Sequence, residues 1–450
     1  MSQPVNFEQP KPTASYPRES YAWYVIGVLF LVTVLSQMDR QLPSLLVSSL
    51  RAEFDISDTA FSFLQGYAFA FVYALAGIPL GRLVDQRNRR NLILIGLLFW
   101  SLMTMLSGLA SSYSEMFIAR MGIGVGEAVL APAAYSIIAD YVAPARRGRA
   151  LATYYMSIGI GSGASLYLGG MILEALPIHG FSAPFVGHLD NWRWMFIIAG
   201  LPGFIVAGLL FTVREPARQQ SNIAHSTNAP PSIGDVVAYL RTHSATFSRV
   251  LVYPAILAVI GYGSLAWAPT LMQRRFEMPT SESGQVIGLL IAICGTVGTL
   301  ISGWLSDFWH NNNTPAARFR VTLVGQAALL PCVTIWPLMP NPFLACSFLG
   351  LGIVGLAIAQ TAAPAAIQEV VPNRMRGQVV AIYLLLGSLL GIGLGPTLVA
   401  LITDNFFKDD FMLHWSIAMT AAPMSLFGLW LCWSGQRPYA QTHAKLSAPY

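Results

Sequence analysis

Apolar runs of about 20 residues recur twelve times along this chain, separated by short polar segments. That is the length a tilted helix needs to cross a bilayer at 1.5 Å rise per residue. The first six runs lie at Trp23–Leu50, Thr59–Leu80, Leu92–Ala110, Met116–Ala139, Ala150–Leu173 and Trp194–Val213. The second six lie at Val250–Met272, Val286–Leu305, Val321–Met339, Phe343–Ile367, Val379–Ile402 and Leu413–Trp433. The pattern predicts an all-α integral membrane protein with twelve transmembrane helices. It divides into a tail at 1–22, a six-helix bundle at 23–213, a connection at 214–249, a second bundle at 250–433 and a tail at 434–450.

Composition supports this reading: 54% of residues are hydrophobic and 10% charged, and mean hydropathy is +0.55. An ordinary soluble domain is nearer 25% charged. No soluble basic face exists for nucleic acid. The first 22 residues hold Pro4, Pro10, Pro12 and Pro17 and lack the short apolar core of a signal peptide, so they read as a flexible tail. In the connection, Gln219 to Pro231 reads as linker, while Ile233, Val236, Val237, Leu240 and Phe247 share one helical face, expected at the membrane surface. With the N-terminus inside, 19 Lys and Arg fall on inner segments and 5 on outer ones. Positive residues stay on the cytoplasmic side, which places both termini there in a multi-pass protein of the cell inner membrane.

The two sets of six repeat each other. Gly81-Arg-Leu-Val-Asp85 returns as Gly303-Trp-Leu-Ser-Asp307, and Pro144-Ala-Arg146-Arg147-Gly148 returns as Pro372-Asn-Arg374-Met-Arg376-Gly377. Gly161 and Gly163 return as Gly391 and Gly393. Parallel repeats of this kind place a substrate site near the midplane between halves, with access alternated by rocking.

Charges inside the apolar runs carry the candidate chemistry. Asp39 and Arg40 stand in the first run, Arg120 and Glu127 in the fourth. A charge at that depth costs roughly 2.5–3.5 kcal/mol on insertion scales, so it is usually functional. Arg120 and Glu127 are two turns apart on one face, separated by about 10 Å, and need partners from another helix. All four belong to the N-terminal half; the C-terminal half offers Gln360 as its most polar long side chain at that depth. Asp39 and Glu127 are the candidate proton-coupling groups, because a moving arginine beside a desolvated carboxylate can load or release a proton. Arg40 and Arg120 offer planar forks to an anionic substrate. The competing reading is a static network joining the first and fourth helices. Trp267 before Pro269 and Gln360 before Pro364 are candidate cavity residues, with an interfacial belt the stronger alternative for Trp267.

Gly81-Arg-Leu-Val-Asp85-Gln-Arg87-Asn-Arg89-Arg90 resembles the loop signature of the major facilitator superfamily, departing at Gln86 and Asn88, and Arg120 to Ala128 resembles its fourth-helix signature. Met38-Asp39-Arg40, Arg87-Asn88-Arg89, Gly124-Val-Gly126-Glu127-Ala128 and Trp192-Arg-Trp194 are similar to the Spinster-like lipid transporters. Sugar-acid symporters share a related Asp-Arg and Gly-Glu-Ala. The resemblance implies a monomeric secondary transporter in membrane lipid, moving an amphipathic anionic lipid or, alternatively, a small organic anion, with protons. It further implies conformational gating by Gly81, Asp85, Arg87, Arg89 and Arg90, where positive-inside topology is an equal reading for Arg90. The antiporter Gly-Pro pair of the fifth helix is replaced by Ser165-Leu166.

Enzymatic chemistry has no support. The three lysines (Lys11, Lys408, Lys445) stand outside any phosphate-loop pattern. Cys294, Cys332, Cys346 and Cys432 lie in apolar runs without metal-ligand spacing, and the seven histidines lie in loops, tails or at a helix end. No cofactor, metal or nucleic-acid partner is expected.

Overall fold

A computed structural model describes residues 16–184, 187–218, 232–312, 314, 316–372 and 374–447. Twelve helices in it are long and apolar enough to cross a membrane. They are α1 (Glu19–Leu45), α2 (Asp58–Gln86), α3 (Arg89–Leu109), α4 (Tyr113–Tyr141), α5 (Arg146–Ala175) and α6 (Asn191–Leu210). The second set is α7 (Ser244–Phe276), α8 (Thr280–Asn311), α9 (Ala317–Leu338), α10 (Pro342–Glu369), α11 (Arg376–Phe407) and α12 (Asp410–Leu446).

The internal repeat is visible in which helices touch. Within the first half α1 packs on α5, α2 on α4, and α3 on α4 and α6. Within the second, α7 packs on α11, α8 on α10, and α9 on α10 and α12, the same pairs displaced by six helices. Between the halves, α5 crosses α8 and α2 crosses α11.

Glycines set the depth of these crossings. A Cβ on Gly163 would stand 2.7 Å from the Gly288 carbonyl oxygen, and one on Gly170 would stand 2.3 Å from that of Ser281. Backbones therefore meet directly along the α5–α8 seam, as small residues permit. Both helices of the other seam contain π-helical segments, Phe63–Tyr67 in α2 and Gly387–Leu394 in α11. Such segments concentrate at functional sites.

Several helices outrun their apolar windows. α12 extends past Trp433 to Leu446, because Tyr439 is fully buried, stacks 5.0 Å from Phe319, and donates to Glu369 Oε2 at 2.6 Å. Much of the segment expected as a C-terminal tail is thus a docked helix. The amphipathic segment is a helix at Ile233–Thr242, closed at its start by a Ser232–Asp235 capping box. Val236 anchors it against the second half, while Ile233 and Val237 stay exposed. The expected linker at 219–231 and the first fifteen residues of the N-terminal tail lie outside the described residues. A short hairpin in the α5–α6 connection, β1 (Phe181–Ala183) with β2 (Gly187–Leu189), has no counterpart in the apolar pattern.

Candidate functional site

The site begins with a proline. Pro43 has no N–H, so the helical partner of the Asp39 carbonyl four residues earlier is missing, and α1 ends in a 3-10 turn at Leu42–Leu45. The freed carbonyl of Asp39 accepts from Arg120 Nη1 of α4 at 2.8 Å, while that of Met38 accepts from Ser165 Oγ of α5 at 2.9 Å. The carbonyl freed by Pro43 thereby binds α1 to α4, while the Met38 carbonyl, which also accepts from the Leu42 N–H, binds it to α5.

On α4, three glycines alternate with larger residues and each admits a different neighbour. Gly122 faces Met103; Gly124 lies 2.8 Å, measured from its would-be Cβ, from the Phe69 carbonyl; Gly126 lies 2.9 Å from that of Gly96. Immediately after Glu127 the α-helix breaks and restarts at Leu130. Pro132 withdraws the N–H that would have bonded the Ala128 carbonyl, which accounts for the break.

Glu127 is buried, and its Oε2 accepts hydrogen bonds from Ser36 Oγ at 2.6 Å and Arg40 Nε at 2.7 Å, with Arg40 Nη2 in ion-pair contact at 2.6 Å. The Arg40 guanidinium also lies 4.5 Å from the centroid of Phe69 and 5.1 Å from that of Tyr73. Cation–π contacts of this kind contribute about 0.5–2 kcal/mol, more when desolvated. Arg120 and Asp39 are also buried, yet Arg120 Nε and Nη2, Asp39 Oδ1 and Glu127 Oε1 make no hydrogen bond within the protein. Such unmet groups are costly and uncommon in a finished structural network. The four charges expected from sequence are thus brought together, but only Arg40 and Glu127 form a direct ion pair.

Arg40 lines a narrow cavity between the halves. Gln41, Gln65 and Phe69 line it from the first half; Tyr262, Leu265 and Pro396 line it from the second. Trp267 lies beneath this wall. It is wholly buried, packs edge-on against Phe61 and donates to the Pro396 carbonyl at 2.9 Å, which places it neither in the cavity lining nor in an interfacial belt. Gln360 is exposed on α10 and is not among the cavity-lining residues.

Away from the termini, polar contacts clasp the halves together. Arg274 of the second half holds Asp58 with two bonds of 2.6 and 2.7 Å, and Arg51 holds Asp410 at 2.5 Å. The Thr59 amide donates to Asp404 Oδ2 at 2.7 Å, and Gln285 donates to Glu174 at 2.7 Å. Asp58, Asp404 and Asp410 each bring a carboxylate oxygen within 4.8 Å of the others, and Arg51 and Arg274 supply the opposing charge. Burial alone disfavours the charged form of Arg51, but its hydrogen bond to Asp410 and the charges of Asp58, Asp410 and Asp404 prevail and raise its pKa. Asp58→Asn removes a buried charge that both arginines use. Losing one partner of a buried pair costs about 3–5 kcal/mol. We expect the far side to open, read as longer spin-label distances between Ala52 and Glu277, both exposed there.

The loop near the termini is arranged differently. Asp85 and Arg87 are exposed, and Gly81 has open space where a Cβ would stand. Arg89 is fully buried within the first half, bonding Asp140, Ser136 Oγ at 2.7 Å, Glu215 Oε1 at 2.7 Å and the Pro216 carbonyl at 3.0 Å. The Arg90 amide joins the same knot through Glu215. Arg89 and Arg90 therefore brace α3 against α4 and the segment after α6.

Comparison with known proteins gives a consistent picture. The sequence model described as Major Facilitator Superfamily matches residues 29–396. An MFS-type efflux pump of Mycolicibacterium smegmatis is 28% identical over 424 residues, covering 93% of each chain. A probable L-galactonate transporter of Escherichia coli is 25% identical, covering 78% of this chain and 77% of its own. The crystal structure of a bacterial homologue of the human lysosomal transporter Spinster, inward-facing and unoccupied, superposes with a TM-score of 0.74. It is 25% identical, with 95% of this chain and 98% of that one covered.

Proposed function

The chain belongs to the major facilitator superfamily, in its Spinster-like branch, and from that premise we propose that it carries an amphipathic anionic lipid by proton-coupled alternating access. The observation that carries this reading is the pair of half-buried Arg40 with buried Glu127 at the edge of a cavity between the halves. Arg40 can pair with Glu127 or with an incoming phosphate or carboxylate, since its guanidinium fork fits either. When substrate takes the guanidinium, Glu127 loses its counter-charge in a desolvated place and takes up a proton. Asp39, next to Arg40 on α1, and Arg120, two turns before Glu127 on α4, are incompletely bonded and serve as the second acid and the second cation. With the termini cytoplasmic, the clasp of Asp58, Arg274, Arg51 and Asp410 closes the outer side, and the exposed Asp85–Arg87 loop marks the inner opening.

The Arg40 guanidinium suits a carboxylate as well as a phosphate, and one relative is a probable L-galactonate transporter. Transport of a small hydroxy acid is therefore the second reading. Proteoliposomes holding a pH-sensitive dye separate the two. Lumenal pH is expected to shift on addition of lysophospholipid and to stay level with a hexonate. A hexonate-only signal reverses the assignment; lipid transfer without proton movement removes the coupling.

A further inference from the structure

One residue of the cavity is unexplained by charge. Gln65 sits in the π-helical segment Phe63–Tyr67 of α2, is 7% exposed, and its Oε1 makes no hydrogen bond within the protein although its side chain lines the cavity beside Arg40. A packing position between two helices is served by an apolar side chain; an amide oxygen there forfeits hydration and recovers no hydrogen bond in this state.

The position is also fixed. At Gly66, the next residue, a Cβ would stand 2.4 Å from the Ile392 carbonyl oxygen, so α2 and α11 touch backbone to backbone beside Gln65. Ile392 belongs to the π-helical segment of α11 and itself lines the cavity. Two irregular helix segments, one from each half, therefore meet beside the cavity that Gln65 and Tyr262 line.

We infer that Gln65 is a substrate-specificity residue whose amide oxygen accepts a hydrogen bond from an O–H or N–H donor located next to the anionic group that Arg40 holds. The chemistry follows from complementarity. A phosphate or carboxylate offers only acceptors, which suit Arg40 and cannot satisfy Gln65 Oε1. The group that meets both pairs an anion with an adjacent donor: an ammonium in an ethanolamine head group, or a hydroxyl in a hydroxy acid. Tyr262, from the second half, completes the enclosure when substrate is seated. The inference rests on Arg40 as the anion-binding residue and narrows what lies beside that anion. Sites built to bond such a donor discriminate strongly against analogues lacking it, because the buried acceptor is then left unmet.

The test is equilibrium binding to the purified full chain, using two matched ligand pairs. Alkylphosphoethanolamine and alkylphosphocholine of one chain length have no glycerol hydroxyl and differ in whether the nitrogen carries N–H; galactarate and adipate differ in their hydroxyls. The native chain should prefer the donor-bearing member by about tenfold or more within the class it transports. Gln65→Leu should bring that preference to within about twofold by weakening the donor-bearing member alone. Retained binding of the donor-free member shows that the variant is folded. A native chain without preference in either pair overturns the inference, as does equal weakening of both members in the variant. A preference confined to galactarate, lost in Gln65→Leu, upholds Gln65 and rejects the lipid substrate.

Discussion

Glu127→Gln is expected to reduce gradient-driven uptake by at least about 100-fold while leaving substrate exchange nearly intact. The carboxamide keeps the volume of the acid, and its oxygen can still accept from Ser36 Oγ, which lies 2.6 Å from Oε2 in the native protein. It brings no negative charge to the Arg40 guanidinium, whose Nε bonds Glu127 at 2.7 Å and whose Nη2 lies 2.6 Å from the same oxygen. Breaking a buried pair costs about 3–5 kcal/mol, more than enough for a hundredfold effect. Arg40 is not set loose, because Phe69 and Tyr73 still flank it. The variant therefore imitates the protonated, substrate-ready state and cannot cycle its proton. Counterflow, which needs no net proton movement, separates coupling from architecture. Loss of counterflow and uptake together would assign Glu127 to stapling α1 and α4. Unchanged uptake with unchanged pH dependence would exclude it from coupling.

How much of this was readable beforehand depends on the kind of signal. Asp39, Arg40, Arg120 and Glu127 were conspicuous because lipid makes each charge expensive, so sequence alone marked the site. Which charge pairs with which was not readable: two-turn spacing puts Arg120 and Glu127 on one face of α4, but Pro43 decides that Arg120 bonds a carbonyl of α1. Gln65 was passed over because a lone amide costs less than a charge, and its π-helical setting leaves no periodic trace. Tyr262 and Tyr73 were likewise invisible among 17 tyrosines, since apolar runs tolerate aromatics everywhere. Trp267 drew attention through its neighbour Pro269, yet it fills the core beneath the cavity. The fold itself was legible because twelve runs and three repeated motifs are global signals. Ends of helices were not, since Tyr439 is buried by tertiary docking rather than by a hydrophobic window. The far-side clasp escaped for a related reason: Arg51, Arg274, Asp58 and Asp410 read as ordinary loop charges until the two halves are placed together.

Gly288→Leu should hold the far side open and suppress transport by at least about 50-fold without unfolding either half. A Cβ at Gly288 would stand 2.5 Å from the Tyr167 nitrogen and 2.6 Å from the Gly163 carbonyl oxygen, and backbone atoms cannot swing aside as a flexible side chain would. Gly284 meets the Leu166 carbonyl in the same way, at 2.7 Å. The seam between α5 and α8 is thus closed by main chain along several turns, and a leucine fits only if the helices separate. Separation is what alternating access requires of this seam in the opposite state, so the substitution shifts a population instead of destroying a core. Overpacking typically costs about 1–3 kcal/mol and occasionally more, and since every 1.4 kcal/mol or so is tenfold, the upper part of that range shifts the population about 50-fold or more. Spin labels at Ala52 and Glu277 should report longer distances, and labels at Gln86 and His310, exposed near the termini, shorter ones. Gly288→Ala should fall between, because one methyl still meets Tyr167 and Gly163. Combining Gly288→Leu with Asp58→Asn should add little to the far-side distance, since the first change already parts the Asp58–Arg274 clasp. Native distances with lost transport would instead make the seam a fixed structural contact, and the rocking axis would have to lie elsewhere.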